Sequence, residues 1–322
     1  MINHKKLTLS VFAALGLSLA ASSASAANSH FYGSLEAGVQ NADDSAIPFS
    51  MDYPSLRTRT TDYGSGRNVG LTLGYRFDNP LFIELSVSRD SLTNTTVQTD
   101  TRAIPAPPCG VPFEAAIPYC LASASLATRV DHNNVDLVAG WGFKATETVT
   151  FSPYAGVRRM KLQDERKINN VPLGAPFTDR GVDISSFNEY GFLIGVRYDQ
   201  EFKSFYLTGD LQHAQASGDR VRGYHSALVD NTGATLIAVD HGITEDISVR
   251  QQALSFGIGH RFVFGGQPAT INLSYQVQRG NGYDTRIDTI APSMAASFGG
   301  NRGVRNESVT TQGFMLSFGI NN

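Results

Sequence analysis

The sequence predicts an all-β fold: a transmembrane antiparallel up-and-down β-barrel of about ten strands, with short periplasmic turns and long extracellular loops. Three observations predict it: a recurrent two-residue alternation, connections that alternate between long and short, and aromatics gathered at the short-turn end. The hairpin from Val135 to Val157 shows the pattern most clearly. In its first arm Val135, Leu137, Ala139, Trp141 and Phe143 share one parity, against Asp136, Val138, Gly140 and Gly142. In its second arm Val149, Phe151, Pro153, Ala155 and Val157 oppose Thr150, Ser152, Tyr154, Gly156 and Arg158. Successive side chains of a strand point to opposite faces, so each arm has one greasy face and one small, polar or charged face.

Before the first strand, residues 1–26 read as a secretory signal peptide. Lys5 and Lys6 precede an apolar run from Leu7 to Ala20 and an Ala24-Ser25-Ala26 cleavage site. Removing it leaves residues 27–322 as one barrel domain, with 24 basic against 29 acidic residues, a net charge of −5. No later apolar run has helix-spanning length, and only 17% of residues are charged. No run of Lys or Arg suggests a nucleic-acid footprint.

The first strand carries Phe31, Gly33, Leu35, Ala37 and Val39 outward, and a polar loop follows over about 41–67. Val69 to Phe77 and Leu81 to Val87 form the next pair, joined at Asp78-Asn79-Pro80, and a loop over about 90–133 follows. That loop holds Cys109 and Cys120. In an exported chain they read as an intrachain disulfide, with no nearby ligands to complete a metal site. After the Val135–Val157 hairpin comes a loop over about 163–186, then strands at 190–198 and 205–211 around a turn at 199–203. A loop over about 214–250 follows, although its ATLIAVD segment is able to extend the flanking strands above the membrane. Leu254 to Phe262, Ile271 to Val277, a loop over about 279–311 and Phe314 to Ile320 complete the count.

An even strand number with long loops on one side only is the outer-membrane arrangement. The aromatic residues Phe31, Tyr75, Phe77, Trp141, Phe143, Phe151, Tyr198, Phe205, Phe262 and Phe318 fall at the short-turn end, where an interfacial girdle belongs. A soluble exported barrel, turned the other way out, has the same period. Against it stands the glycine-rich second face, with Gly70, Gly74, Gly140, Gly156, Gly195 and Gly259 among others, because glycine weakens an ordinary exposed strand. Inside a narrow barrel it makes room for larger inward neighbours.

The inward parity collects eight charges, Glu36, Glu84, Asp136 and Asp210 against Arg76, Arg158, Arg197 and Arg261. Such charges pair in a confined lumen, and Glu84 begins the strand after Arg76, which makes Arg76 its expected partner. They either plug the interior or line a narrow water-filled passage and set its ion preference. No catalytic residues are expected. Asp210 and His213 are three apart and alternate to opposite faces, His213 and Ser217 are not closely spaced, and His225 and His241 lie in a predicted loop.

From Val135 to Asp219 the order is an Asp-bearing strand, Ala155-Gly156-Val157-Arg158, a polar loop, SSFNEYGFLIGVRYD and FYLTGDLQHAQASGD. This stretch resembles the central part of the Legionella major outer-membrane protein family. The resemblance implies a pore-forming barrel, homo-oligomerisation, and Arg158 and Arg197 on pore-facing strands. The reading that follows is a porin-like channel for passive diffusion of small hydrophilic solutes or ions. The alternative is a closed barrel acting as a membrane anchor and adhesin through its extracellular loops. Expected partners are outer-membrane lipid, the barrel assembly machinery, small solutes and a host or surface ligand, with no cofactor. The last aromatic, Phe318, is set back from the end of the chain, which predicts less efficient membrane insertion.

Overall fold

Ten long antiparallel strands close into a barrel in the computed structural model, which describes residues 31–43, 47–52, 57–99, 110–111, 121–172, 177–284 and 306–321. The strands are β1 (Phe31–Asp43), β4 (Ser65–Arg76), β5 (Leu81–Thr99), β7 (Leu121–Trp141), β9 (Val149–Pro172), β10 (Phe177–Phe202), β11 (Phe205–Asp230), β12 (Thr235–Phe264), β13 (Gln267–Asp284) and β14 (Asn306–Asn321). Four short strands accompany them. β2 (Ile47–Asp52), β3 (Arg57–Thr61) and β6 (Gly110–Val111) form a separate small sheet, and β8 (Phe143–Lys144) continues the wall beside β9. Every long strand pairs with its neighbour in the chain, and β1 pairs with β14 to close the wall.

The stagger of the wall follows from the register. Starting at Arg250 on β12, the partners run through Gln215, Phe192, Val157, Leu137, Leu85, Leu73, Gly33, Ile320 and Ala269 and return to β12 at Phe262. The offset is 262 − 250 = 12 residues. A ten-strand barrel with that shear tilts its strands by about 40° and has a backbone radius of about 10 Å. At that tilt a nine-residue stretch such as Phe31–Val39 climbs about 23 Å, close to the apolar height of an outer membrane.

The outward face has the composition that lipid demands over this height. Val39, Leu85, Leu137, Val157, Ile194, Leu211, Leu254, Leu273 and Leu316 are all exposed, although large aliphatic side chains rarely face water in such numbers. The belt stops abruptly at its upper edge. The next outward positions hold exposed Arg67, Arg89, Arg159, Lys161, Arg250 and Arg279. At the lower edge the aromatics touch one another around the rim. Phe31 meets Tyr75 at 4.8 Å between ring centroids, Tyr75 meets Phe77 at 4.9 Å, and Phe151 lies between Phe143 at 5.8 Å and Tyr198 at 5.4 Å. Phe262 and Phe318 meet at 6.1 Å, while exposed Phe205 contacts His260 and exposed Trp141 stands on the same rim.

The stretches expected as loops are largely strand. β9 and β10 continue to Pro172 and from Phe177 through the 163–186 stretch, and β11 and β12 cross 214–250 with only residues 231–234 between them. The ATLIAVD segment does extend β12. Part of 41–67 forms β2 and β3, and part of 90–133 belongs to β5 and β7. Above the belt both faces of the wall are polar or mixed, so the apolar alternation that marks a half-buried strand disappears while backbone pairing continues. Residues 1–26 and both Cys109 and Cys120 lie outside the described residues.

The β11–β12 turn is held by Asp230, whose Oδ1 accepts from the Thr232 and Ala234 amides, both at 2.8 Å, and from the Thr232 hydroxyl at 2.7 Å. Gly233 supplies the positive φ of 90°. The Thr232 hydroxyl and then the Ala234 amide hold the Asp230 carboxyl below its ordinary value. A depressed carboxyl orders the turn above about pH 3.9 and loses that effect as the pH falls through the lower folded value. Asp230→Ala is therefore expected to lower the amide protection factors at Thr232 and Ala234 at neutral pH, and acid should lower them in the unaltered protein. Identical exchange in both proteins at neutral pH would mean that Gly233 alone sets the turn.

Candidate functional site: the barrel lumen

The lumen is filled in three tiers. The lowest, at the short-turn end, is built on glycines that face aromatic rings directly across the strand pairing. Tyr32 lies opposite Gly74, Phe82 opposite Gly140, Tyr154 opposite Gly195 and Tyr206 opposite Gly259. A Cβ at any of these four glycines would collide with the ring. Absence of a side chain lets each ring lie flat along the wall, and each ring then carries a guanidinium. Arg76 sits 5.7 Å above Tyr32, Arg197 sits 4.9 Å above Tyr154 and 5.5 Å above Phe82, and Arg261 sits 5.4 Å above Tyr206.

Ion pairs cross this tier. Arg197 on β10 clasps Glu84 on β5 with two contacts of 2.5 Å, and Glu84 also accepts from the Tyr32 hydroxyl at 2.6 Å. Asp210 accepts from the Tyr154 hydroxyl at 2.9 Å and lies 3.7 Å from Arg197 Nε. One step higher, Arg158 donates to both oxygens of Asp136 at 2.7 Å, to Gln212 at 2.7 Å and to Gln251 at 3.2 Å. That single guanidinium ties β9 to β7, β11 and β12. Two parallel N–H···O bonds make each carboxylate pair both strong and fixed in orientation.

Structure and expectation differ in one pairing. Glu84 is held by Arg197, three strands away around the wall, and not by Arg76, which stacks on Tyr32. Register explains it, because Arg76 faces Phe82 across the β4–β5 pair while Glu84 faces Gly74. Glu36 joins the same tier opposite Gly70, and Arg261 bonds Glu201 at 2.8 Å on the lower rim. Asp210 and His213 do point to opposite faces, the former into the lumen and the latter against Phe192 at 5.8 Å between centroids.

The middle tier combines an apolar cluster with the buried Asn68, Asp90, His132 and Asn134. Leu92, Leu126, Val130, Met160, Leu162, Phe187 and Val249 are buried in one cluster continuous with Phe82, Tyr154 and Leu193 below. Tyr63, fully buried, turns in from above and donates to Asp164 at 2.9 Å. A positive φ of 74° at Gly64 makes that inward turn, and the Asp62 side chain accepts from the Gly64 amide at 2.9 Å. The upper tier is again charged. Asp183, 3% exposed, accepts from Arg166 at 2.7 Å and from Arg222 at 2.6 Å, and Arg220 bonds Glu245 at 2.7 Å.

These upper residues were outside the expected set because they fall in stretches read as loops. The signal was there in the parity. Along β9 the inward positions continue without a break from Tyr154 through Arg158, Met160 and Leu162 to Asp164 and Arg166.

A family model described as an outer membrane protein beta-barrel domain matches residues 10–321. The chain belongs to this family. Solved structures that align with the chain include outer-membrane proteins. The outer membrane protease OmpT from Escherichia coli is 8% identical over 92% of this chain and 99% of its own, with a TM-score of 0.46. A major outer membrane protein from Thermus thermophilus is 12% identical over 91% and 99%, with a TM-score of 0.37. Ail, the attachment invasion locus protein of Yersinia pestis, is 11% identical over 91% and 99%, with a TM-score of 0.25. At these scores the likenesses say nothing of activity. No curated protein matches the chain. Membership in the outer-membrane β-barrel family, together with the apolar belt, places the protein in the outer membrane.

Proposed function

We propose that the barrel is closed at rest and serves as an outer-membrane anchor for the tall wall of β7 and β9–β12, which makes the protein's contacts at the cell surface. The observation that carries this reading is the buried middle tier. Phe187, Met160, Val130 and Val249 are each 1% exposed, and with the buried Asn68, Asp90, His132 and Asn134 beside them they pack the lumen at this height. The charged tiers above and below are cross-linked between strands, which suits a rigid post. On this reading residues 1–26 direct export and are removed, the assembly machinery inserts the barrel, and the ten rim aromatics form its lower interfacial girdle.

The second reading is the porin-like channel for small hydrophilic solutes. It is favoured by the eight inward charges and by the resemblance of residues 135–219 to the Legionella major outer-membrane protein family, which also implies oligomers. Conductance separates the two. Purified protein, shown to be folded by a heat-modifiable gel shift, is expected to stay silent in a planar bilayer. Reproducible current steps that scale with salt would overturn the closed reading and make Arg158, Arg197 and their partners selectivity elements.

A further inference from the structure

The outer wall carries a concave groove of about 610 Å³ where β10, β11, β12 and β13 meet. Register arranges its lining in two rows. The lower row runs Val196, Leu211, Leu254, Val277 across the four strands, all aliphatic. The row above runs Ile194, His213, Gln252, Arg279, so the groove changes from apolar to polar and cationic within one step of the pleat. That step coincides with the upper edge of the lipid-facing belt. Arg250, exposed and one outward position above Gln252, adds a second guanidinium, and the first outward carboxylate above it on β12 is Asp246.

We propose that this groove holds an anionic glycerophospholipid, with one acyl chain against the single aliphatic row and the phosphate on Arg279 and Arg250. Each row of the groove excludes a different occupant. A free phosphate has no use for an aliphatic floor that excludes water. A zwitterionic lipid offers its phosphate to the guanidinium groups but brings a quaternary ammonium that they repel, whereas an anionic headgroup carries no such opposing charge. The position also suits the ligand, since a side chain there meets headgroups above and hydrocarbon below. His213, its ring tilted against that of Phe192 at 5.8 Å between centroids, closes one end of the polar row.

Native mass spectrometry of the detergent-solubilised, folded protein tests this, with phosphatidic acid and phosphatidylcholine of identical chains supplied in equal amounts. The expected result is a single retained adduct favouring phosphatidic acid about tenfold, as one charge-assisted bidentate contact allows. Arg279→Gln with Arg250→Gln should remove that preference, while Leu211→Trp or Leu254→Trp, by filling the groove, should reduce both adducts. Monophosphoryl lipid A, a multi-chain saccharolipid, is run in a parallel arm, and its retention in preference to phosphatidic acid would overturn the assignment. Equal retention by the double Arg variant, adducts unaffected by both Trp variants, or full displacement by inorganic phosphate would each overturn the assignment. Every variant is first checked for the heat-modifiable folded band, so loss of the adduct reports the groove and not the barrel.

Discussion

Replacing Arg197 by Met is expected to destabilise the folded barrel by about 3–5 kcal/mol, among the largest effects of any single lumen substitution. The cost does not come from the lost attraction alone. Glu84 has a side chain only 5% exposed and depends on Arg197 for two of the three contacts it accepts. Removing the guanidinium leaves a buried carboxylate with the Tyr32 hydroxyl as its remaining bonded partner, and an unpaired buried charge is the expensive case. Arg197 also covers the rings of Tyr154 and Phe82, so Met keeps part of the packing while removing the charge. The companion double variant, Arg197→Met with Glu84→Leu, should recover most of the loss, since replacing both members of a buried pair by apolar groups is often close to neutral. Urea titration of the protein folded in lipid vesicles, read by tryptophan emission from Trp141, measures both. Equal destabilisation in single and double variants would show that the pair acts through shape and not through charge.

Phe187→Ala should cost a similar amount, about 3–5 kcal/mol, for a different reason. The ring is 1% exposed in the middle tier, packed inside a closed wall whose strands cannot collapse inward to refill the space. A control sits on the same strand. Phe192, five residues along β10 and 47% exposed on the outer face, has lipid for a neighbour, and lipid follows the altered surface. Phe192→Ala is therefore expected to cost much less than Phe187→Ala in the same titration. Comparable losses at the two positions would mean that the middle tier is loosely packed, and the closed reading of the lumen would lose its support.

How far the structure was legible in the sequence depended on what each residue faces. Within the belt, lipid outside and a crowded lumen inside impose opposite demands on alternate residues. The ten strands and their order could therefore be read from the alternation together with the long and short connections, while the glycine-rich parity marked the inner face. Above the belt water replaces lipid, the outward face of β9–β12 turns polar, and the same strands read as loops. Parity also tells which face a residue takes but not which residue it meets across the barrel. Arg76 and Glu84 are close in the chain and on one face, yet the stagger of twelve residues brings Arg197 to Glu84 instead. The glycines were read correctly as space for larger neighbours, and register supplies the particular ring for each. Tyr63 was invisible because nothing in a polar stretch marks a residue that turns back into the barrel.

The pairing of β1 with β14 has a consequence for the order of events during assembly. Every other long strand finds its partner next to it in the chain, across a connection that is short in comparison. The last zip joins Gly33 to Ile320, separated by 320 − 33 = 287 residues. Chain closure over that distance is harder than across a tight turn by about 3–4 kcal/mol, a cost met only when the rest of the wall has already brought the two edges together. Until then the nascent wall is an open ribbon with two bare edges, β1 and β14, each offering unpaired amides and carbonyls to any strand that arrives first. The seam is thus both the slowest contact to make and the one point at which a foreign strand has an opening.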